Sequence, residues 1–156
     1  PVSPRGPASP EPPQPTDINP LIESVCEDYR EAGHEVVTKG AAAAPFPAQT
    51  QALKHCLTNI IDSACKYGGK AQIVVQDGEQ EMVIKIRDFG HGVPESELEK
   101  VFEPFYRLES SRSRDTGGTG LGLAIARNVA QLHRGHVSIR NHPEGGLEAI
   151  LALPRP

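Results

Sequence analysis

No run of apolar residues in this 156-residue chain is long enough to cross a bilayer, and none near its start has the form of a signal peptide. A surplus of cations is also missing. Sixteen Lys and Arg stand against twenty Asp and Glu, for a net charge of −4. That balance gives no support to a nucleic-acid or membrane-surface role, although a local cluster of cations could still hold phosphates. Cysteine is scarce. Cys26, Cys56 and Cys65 are odd in number and show no C-x-x-C spacing, which argues against a disulfide framework or a zinc site and fits buried thiols in a reducing compartment. There is no internal repeat. The first residue is Pro rather than Met, and we expect a piece of a larger protein.

The hydrophobic fraction of 37% is low, but the shortfall is concentrated at one end. Pro supplies seven of the first fifteen residues, PVSPRGPASPEPPQP, so residues 1–16 are expected to form a disordered, extended linker that cannot pack. Residues 17–156 have the composition of one globular domain with a single core.

Periodicity orders that domain. TDINPLIESVCEDYREAGH predicts a helix capped by Asn19, with Pro20 in its first turn, Gly33 as its stop, and Leu21, Ile22, Val25, Cys26 and Tyr29 on one face. HEVVTKG is a short strand, followed by a loop of Ala and Pro. QALKHCLTNIIDSACKYGG predicts a second helix with Leu53, Leu57, Ile60, Ile61 and Ala64 as its buried stripe. AQIVVQ and EMVIKIRD are strands joined through Asp77-Gly78, and PESELEKVF is a short helix. LGLAIARNVAQLHR is a third long helix closed by Gly135, and HVSIRN with LEAILAL forms a last hairpin across HPEGG. Helices and mostly antiparallel strands in mixed order imply an α+β two-layer sandwich.

Three stretches could carry chemistry. IKIRDFGHGVP contains Asp-Phe-Gly, a magnesium-binding tripeptide in eukaryote-type protein kinases, but the Val-Ala-Ile-Lys and His-Arg-Asp strings those enzymes need are absent. Strand parity puts Asp88 on the apolar side with Ile84 and Ile86. A carboxylate at the rim of a core needs a partner. It could be a turn-forming Asp before Gly90, or it could face a flat ligand that Gly90 and Gly92 allow close to the backbone. In TGGTGLGLAIA, Gly117, Gly118, Gly120 and Gly122 lead into a helix, where exposed N–H groups form a phosphate cradle. On the second helix, Asn59, Ser63, Lys66 and Tyr67 make one polar stripe. Such a stripe is ordinarily the solvated side of an amphipathic helix, yet its neutral oxygens and ammonium could hold Mg²⁺ and phosphate.

In this order and spacing the stretches resemble the catalytic and ATP-binding domain of bacterial sensor histidine kinases, members of the GHKL superfamily with the Bergerat fold. NIIDSACKYG matches the asparagine box, DFGHGVP the first glycine box, VFEPFYR the phenylalanine box and GTGLGLAIA the second glycine box. The resemblance covers Asp17 to Pro154. It implies that Asp88 accepts a hydrogen bond from the adenine amino group of ATP and that Gly90, Gly92 and Val93 line the adenine pocket. It further implies that Asn59 contacts Mg²⁺ or phosphate, that Lys66 reaches the phosphates and that Tyr67 lies near the ribose. Phe102 and Phe105 would anchor a lid over residues 103–119, with Arg107 available to the γ-phosphate. Gly118, Thr119, Gly120, Leu121 and Gly122 would wrap the triphosphate.

Two departures stand out. Ser63 occupies the place of the family's magnesium-coordinating Asn, which opens a second reading, a nucleotide-binding but catalytically weakened regulatory module. His91 replaces the usual Pro between the two glycines. The phosphoacceptor motif is missing: among His34, His55, His91, His133, His136 and His142, only His34-Glu35 begins correctly, and VVTKG does not continue it. The acceptor His is therefore expected on a separate dimerisation domain, which in turn would serve a response regulator receiver domain in a two-component phosphorelay. The isolated domain is expected to be a monomer in the cytoplasm, its parent protein anchored in the bacterial inner membrane.

Overall fold

A computed structural model describes residues 12–102 and 122–155. Among them a five-stranded sheet carries helices on one face. The chain runs β1 (Gln14–Thr16), α1 (Ile18–Glu31), β2 (Glu35–Gly40), β3 (Phe46–Ala48), α2 (Thr50–Gly68), β4 (Lys70–Asp77) and β5 (Glu81–Asp88). Two 3₁₀ turns, Glu95–Glu97 and Lys100–Phe102, come next, and then α3 (Gly122–Leu132), β6 (His136–Asn141) and β7 (Leu147–Pro154). The sheet order is β2-β4-β5-β7-β6; β2 joins β4 in parallel and every other pair is antiparallel. This is the α+β two-layer arrangement expected from the order of elements.

Alternation does the sorting. Ala71, Ile73 and Val75 of β4, Met82, Ile84 and Ile86 of β5, and Ala149, Leu151 and Leu153 of β7 all face the helices and are buried. Against them packs the stripe Leu53, Cys56, Leu57, Ile60, Ile61, Ala64 and Cys65 of α2, wider by two cysteines than the expected stripe. Burial in this apolar layer pushes the Cys56 thiol up to about 12, and all three cysteines are free and buried.

Several expectations need correction. Residues 14–16 are not part of a free linker, because β1 pairs with β3 and Thr16 Oγ1 meets Thr50 Oγ1 at 2.7 Å. That pairing also makes a strand within the stretch read as an Ala/Pro loop. Asn19 does not cap α1. The helix begins two residues earlier, with Asp17 in the cap position and Ile18 buried. The Asn19 amide instead holds the backbone of Ala42, accepting from its N–H at 2.7 Å and donating to its carbonyl at 3.0 Å. PESELEKVF forms the two 3₁₀ turns and not an α-helix, since Glu97 and Leu98 donate to carbonyls only three residues back.

The start of α2 and the end of α3 are tied together by His133. Its Nε2 accepts from the Gln49 N–H at 3.0 Å, at the start of α2, while Nδ1 lies 2.9 Å from the Val129 carbonyl of α3. That pairing fixes the neutral tautomer with the proton on Nδ1.

Candidate functional site

The candidate site lies at the end of the sheet where β5 stops. Asp88 pairs across from Ala71, and its side chain points to the helix side, as parity predicted. It is only 6% exposed, one of three buried polar or charged residues among those described. Oδ1 accepts two backbone N–H groups, from Gly90 and from Leu147, each at 3.0 Å. The first closes the turn that leads into Gly90. The second comes from the opening of β7, 59 residues away. Oδ2 has no partner among the described residues. Desolvation raises the pKa of this carboxyl, and the two N–H groups, His91 and Arg87 oppose the rise. A buried carboxylate with one oxygen satisfied and the other bare is a ready acceptor for a donor brought in by a ligand.

The backbone around it is held close. Gly146, with φ +86°, lies against the Asp88 carbonyl, and a Cβ there would sit 2.0 Å from that oxygen. Gly92, with φ +79°, lies against the Asn141 side chain, where a Cβ would meet Oδ1 at 2.5 Å. Val93 is buried in the core cluster. An open cleft of about 370 Å³ runs between this loop and the β6–β7 hairpin, lined by His91, Gly92, Val93, Pro94, Asn141, His142, Gly145 and Gly146. It is lined neither by Asp88 nor by any residue of α2.

Helix α2 packs on β4 and β5 and brings the polar stripe alongside. Asn59 is half-buried; its Nδ2 donates to the His55 carbonyl one turn back at 2.9 Å, and its Oδ1 has no partner among the described residues. Ser63, one turn on, is half-buried too, and its hydroxyl has no partner among the described residues. Lys66 pairs with Asp62 at 3.3 Å, and Asp62 accepts from the Tyr29 hydroxyl of α1 at 2.9 Å. Burial and this bond to Asp62 push the Tyr29 hydroxyl well above its ordinary pKa. Lys66 is thus held by an exchangeable partner on the same helix. Tyr67 and Gly122 are placed by backbone only, the first in the last turn of α2 and the second at the head of α3. Phe102 is buried, with the Arg127 guanidinium of α3 4.7 Å from its ring centre. Phe105, Arg107, Gly118, Thr119, Gly120 and Leu121 lie outside the described residues.

Asp88, Gly90, Gly92 and Val93 therefore converge at one corner, beside a helix that carries Asn59, Ser63 and Lys66. The model of histidine kinase-, DNA gyrase B- and HSP90-like ATPases matches residues 48–156, from the end of β3 through β7. The chain belongs to that ATPase family. A sensor histidine kinase of Pseudomonas aeruginosa, GtrS, is 46% identical over 89% of this chain, which spans 28% of that relative's length. The solved ATP-binding domain of PrrB from Mycobacterium tuberculosis is 30% identical, with a TM-score of 0.75 over 94% of this chain and 99% of the other. The mycobacterial sensor histidine kinase MprB is 26% identical, with a TM-score of 0.79 over 92% of this chain and 99% of the other. The fold is accordingly the Bergerat fold of histidine kinase ATP-binding domains. In this member of the ATPase family two contributors escaped the sequence reading: the Leu147 N–H on Asp88, and Asn141 beneath the first glycine box. Parity could have found the second, because Val137, Ile139 and Asn141 share the inward face of β6.

Proposed function

We propose that this domain binds Mg-ATP and transfers its γ-phosphoryl group to a histidine on a separate dimerisation domain, as the kinase half of a two-component sensor. The single observation that carries the reading is the Oδ2 of buried Asp88, without a partner among the described residues and set beside the Gly90–Gly92 loop. It suits the exocyclic amino group of adenine, a donor that a keto base lacks at the same position. Asn59 Oδ1 and the Ser63 hydroxyl are the neutral oxygens that would hold Mg²⁺, which supplies charge neutralisation on the phosphates. Lys66 would leave Asp62 for the phosphates, and the resemblance adds Arg107 and the second glycine box.

The acceptor imidazole is already a nucleophile when neutral, so the domain needs no general base of its own. Its own work is positioning and electrostatic stabilisation. A response regulator receiver domain would be served through the dimerisation domain. We place the domain in the cytoplasm, with its parent protein anchored in the inner membrane.

A second reading rests on Ser63. A hydroxyl stands there on a shorter arm than the family's amide, and a site that tolerates little deviation around ~2.1 Å would be weakened by it. Calorimetry of ATP binding with and without Mg²⁺, paired with transfer to a supplied dimerisation domain, tests both. Magnesium-dependent binding with transfer supports the kinase, and binding without transfer supports the regulatory module. No adenine-nucleotide binding at all rejects both. The chain alone should carry no acid-labile phosphate on its own histidines.

A further inference from the structure

Asn141 ends β6 and takes no part in the sheet register beyond Leu147, yet its side chain behaves as a piece of β-ladder. Oδ1 accepts the Val93 N–H at 2.9 Å, and Nδ2 donates to the Val93 carbonyl at 2.7 Å. One primary amide thus satisfies both backbone groups of one residue, the pairing that a neighbouring strand would otherwise supply. Nδ2 also reaches Glu95 Oε2 at 3.2 Å, at the start of the turns that follow. Gly92 is shaped to this amide, since any Cβ there would strike its Oδ1.

We infer that Asn141 is a positioning residue for the nucleotide site, acting through Val93. The inference rests on the nucleotide reading above and deepens it. The chain leaves the sheet at Asp88, and residues 89–94 form neither helix nor strand. The loop is fixed at its first end by Asp88 Oδ1 on the Gly90 N–H. At its second end it is fixed by Asn141 on Val93. Both anchors involve the same hairpin, because Leu147 binds Asp88 and pairs with Asn141 across β6 and β7. Without the amide, the Val93 backbone has no strand to pair with. Its side chain then loses its fixed depth in the core, and the wall facing the base loosens. No other residue type does this in the same space: Asp can accept the N–H but cannot donate to the carbonyl, and Ala does neither.

The test compares the full chain with Asn141→Ala and Asn141→Asp. The readouts are magnesium-free ADP affinity by calorimetry and the exchange rate of the Val93 amide proton in the nucleotide-free protein. We expect Asn141→Ala to lose about tenfold in ADP affinity and to lose Val93 protection. Asn141→Asp, which keeps the acceptor for the N–H, should recover the protection and part of the affinity. Arg155→Ala, at the far end of the sheet, serves as the purely structural control, lowering the melting temperature with ADP affinity unchanged. If the parent binds ADP and Asn141→Ala binds it equally tightly, or if Val93 exchanges alike in both, the positioning role is overturned and the nucleotide reading stands. A parent that binds no adenine nucleotide overturns the nucleotide reading itself. Should Asn141→Ala fail to fold, the Asn141→Asp result decides: full affinity with the carbonyl bond removed counts against the inference, and reduced affinity with Val93 still protected supports it.

Discussion

Two carboxylates on adjacent strands mark the two ends of the sheet, and they are treated in opposite ways. Asp77 closes β4 at the end away from the site. Arg155 Nε donates to its Oδ1 at 2.9 Å, and Oδ2 accepts from the same guanidinium and from the Ala43 N–H, both at 2.7 Å. Arg155 also reaches the carbonyls of Ala44 and Pro45 and lies over the Phe46 ring. Every oxygen is used, and the Arg155 hydrogen bonds hold the Asp77 carboxyl below its ordinary pKa. Asp88 closes β5 at the other end with two backbone donors on one oxygen, no partner for the other among the described residues, and its pKa raised by burial. A saturated carboxylate stabilises the fold. A half-satisfied one costs stability and leaves room for a donor from outside, the property on which the proposed role of Asp88 rests.

The largest effect should come from Asp88→Asn. The amide keeps an oxygen for the Gly90 and Leu147 N–H groups but presents a donor where the adenine amino group needs an acceptor. The loss should be about 1.5–3 kcal/mol, roughly 10- to 150-fold in ATP affinity by calorimetry. The melting temperature should hold or rise, because a desolvated charge has been removed. A variant that binds ATP as well as the parent would equate the two carboxylates and remove the comparison.

Arg155→Ala should do the reverse. Asp77, its side chain only 5% exposed, loses its paired guanidinium, so the stability loss should be about 1–3 kcal/mol by denaturant unfolding. Nucleotide affinity should not change. A fall in ADP binding would mean that the far end couples to the site.

Ser63→Asn sharpens the contrast between fixed and assembled parts of the site. Asn59 and Ser63 are not braced as Asp88 is; their free oxygens would be organised by the metal. Lengthening the second arm should raise magnesium-dependent ATP affinity and phosphoryl transfer several-fold and leave magnesium-free ADP binding nearly unchanged. Equal magnesium dependence in parent and variant would show that position 63 does not hold the metal.

The smallest effect is the acid response. The raised Asp88 pKa means that the folded chain takes up this proton before the unfolded chain does. Its penalty is present at neutral pH and is relieved as pH falls from the folded value toward the ordinary one, about 3.9. The depressed Asp77 pKa acts oppositely: its contribution is present above the ordinary value and lost as pH falls through the lower, folded one. Stability measured against pH should therefore lose its acid-side gain in Asp88→Asn and its acid-side loss in Arg155→Ala. Parallel curves for both variants would count against the opposite shifts.

The stripe on α2, the alternation of β4, β5 and β7, and the inward parity of Asp88 were legible from spacing, because side-chain direction follows from backbone period alone. The same parity would have placed Asn141 inward, had it been applied to a polar residue in β6. Short-range preferences failed where a distant partner competed. Asn19 gave up the cap for the Ala42 backbone, and residues 14–16 left the linker for Phe46–Ala48. The four boxes carried the family, and NIIDSACKYG and DFGHGVP hold the residues that the structure sets beside one another at the end of β5. What completes Asp88 could not be read in this way. A backbone N–H is chemically the same in almost every residue. That Leu147 supplies the second donor is decided only when β7 pairs with β5 and β6, in a register that seats Gly146 against the Asp88 carbonyl.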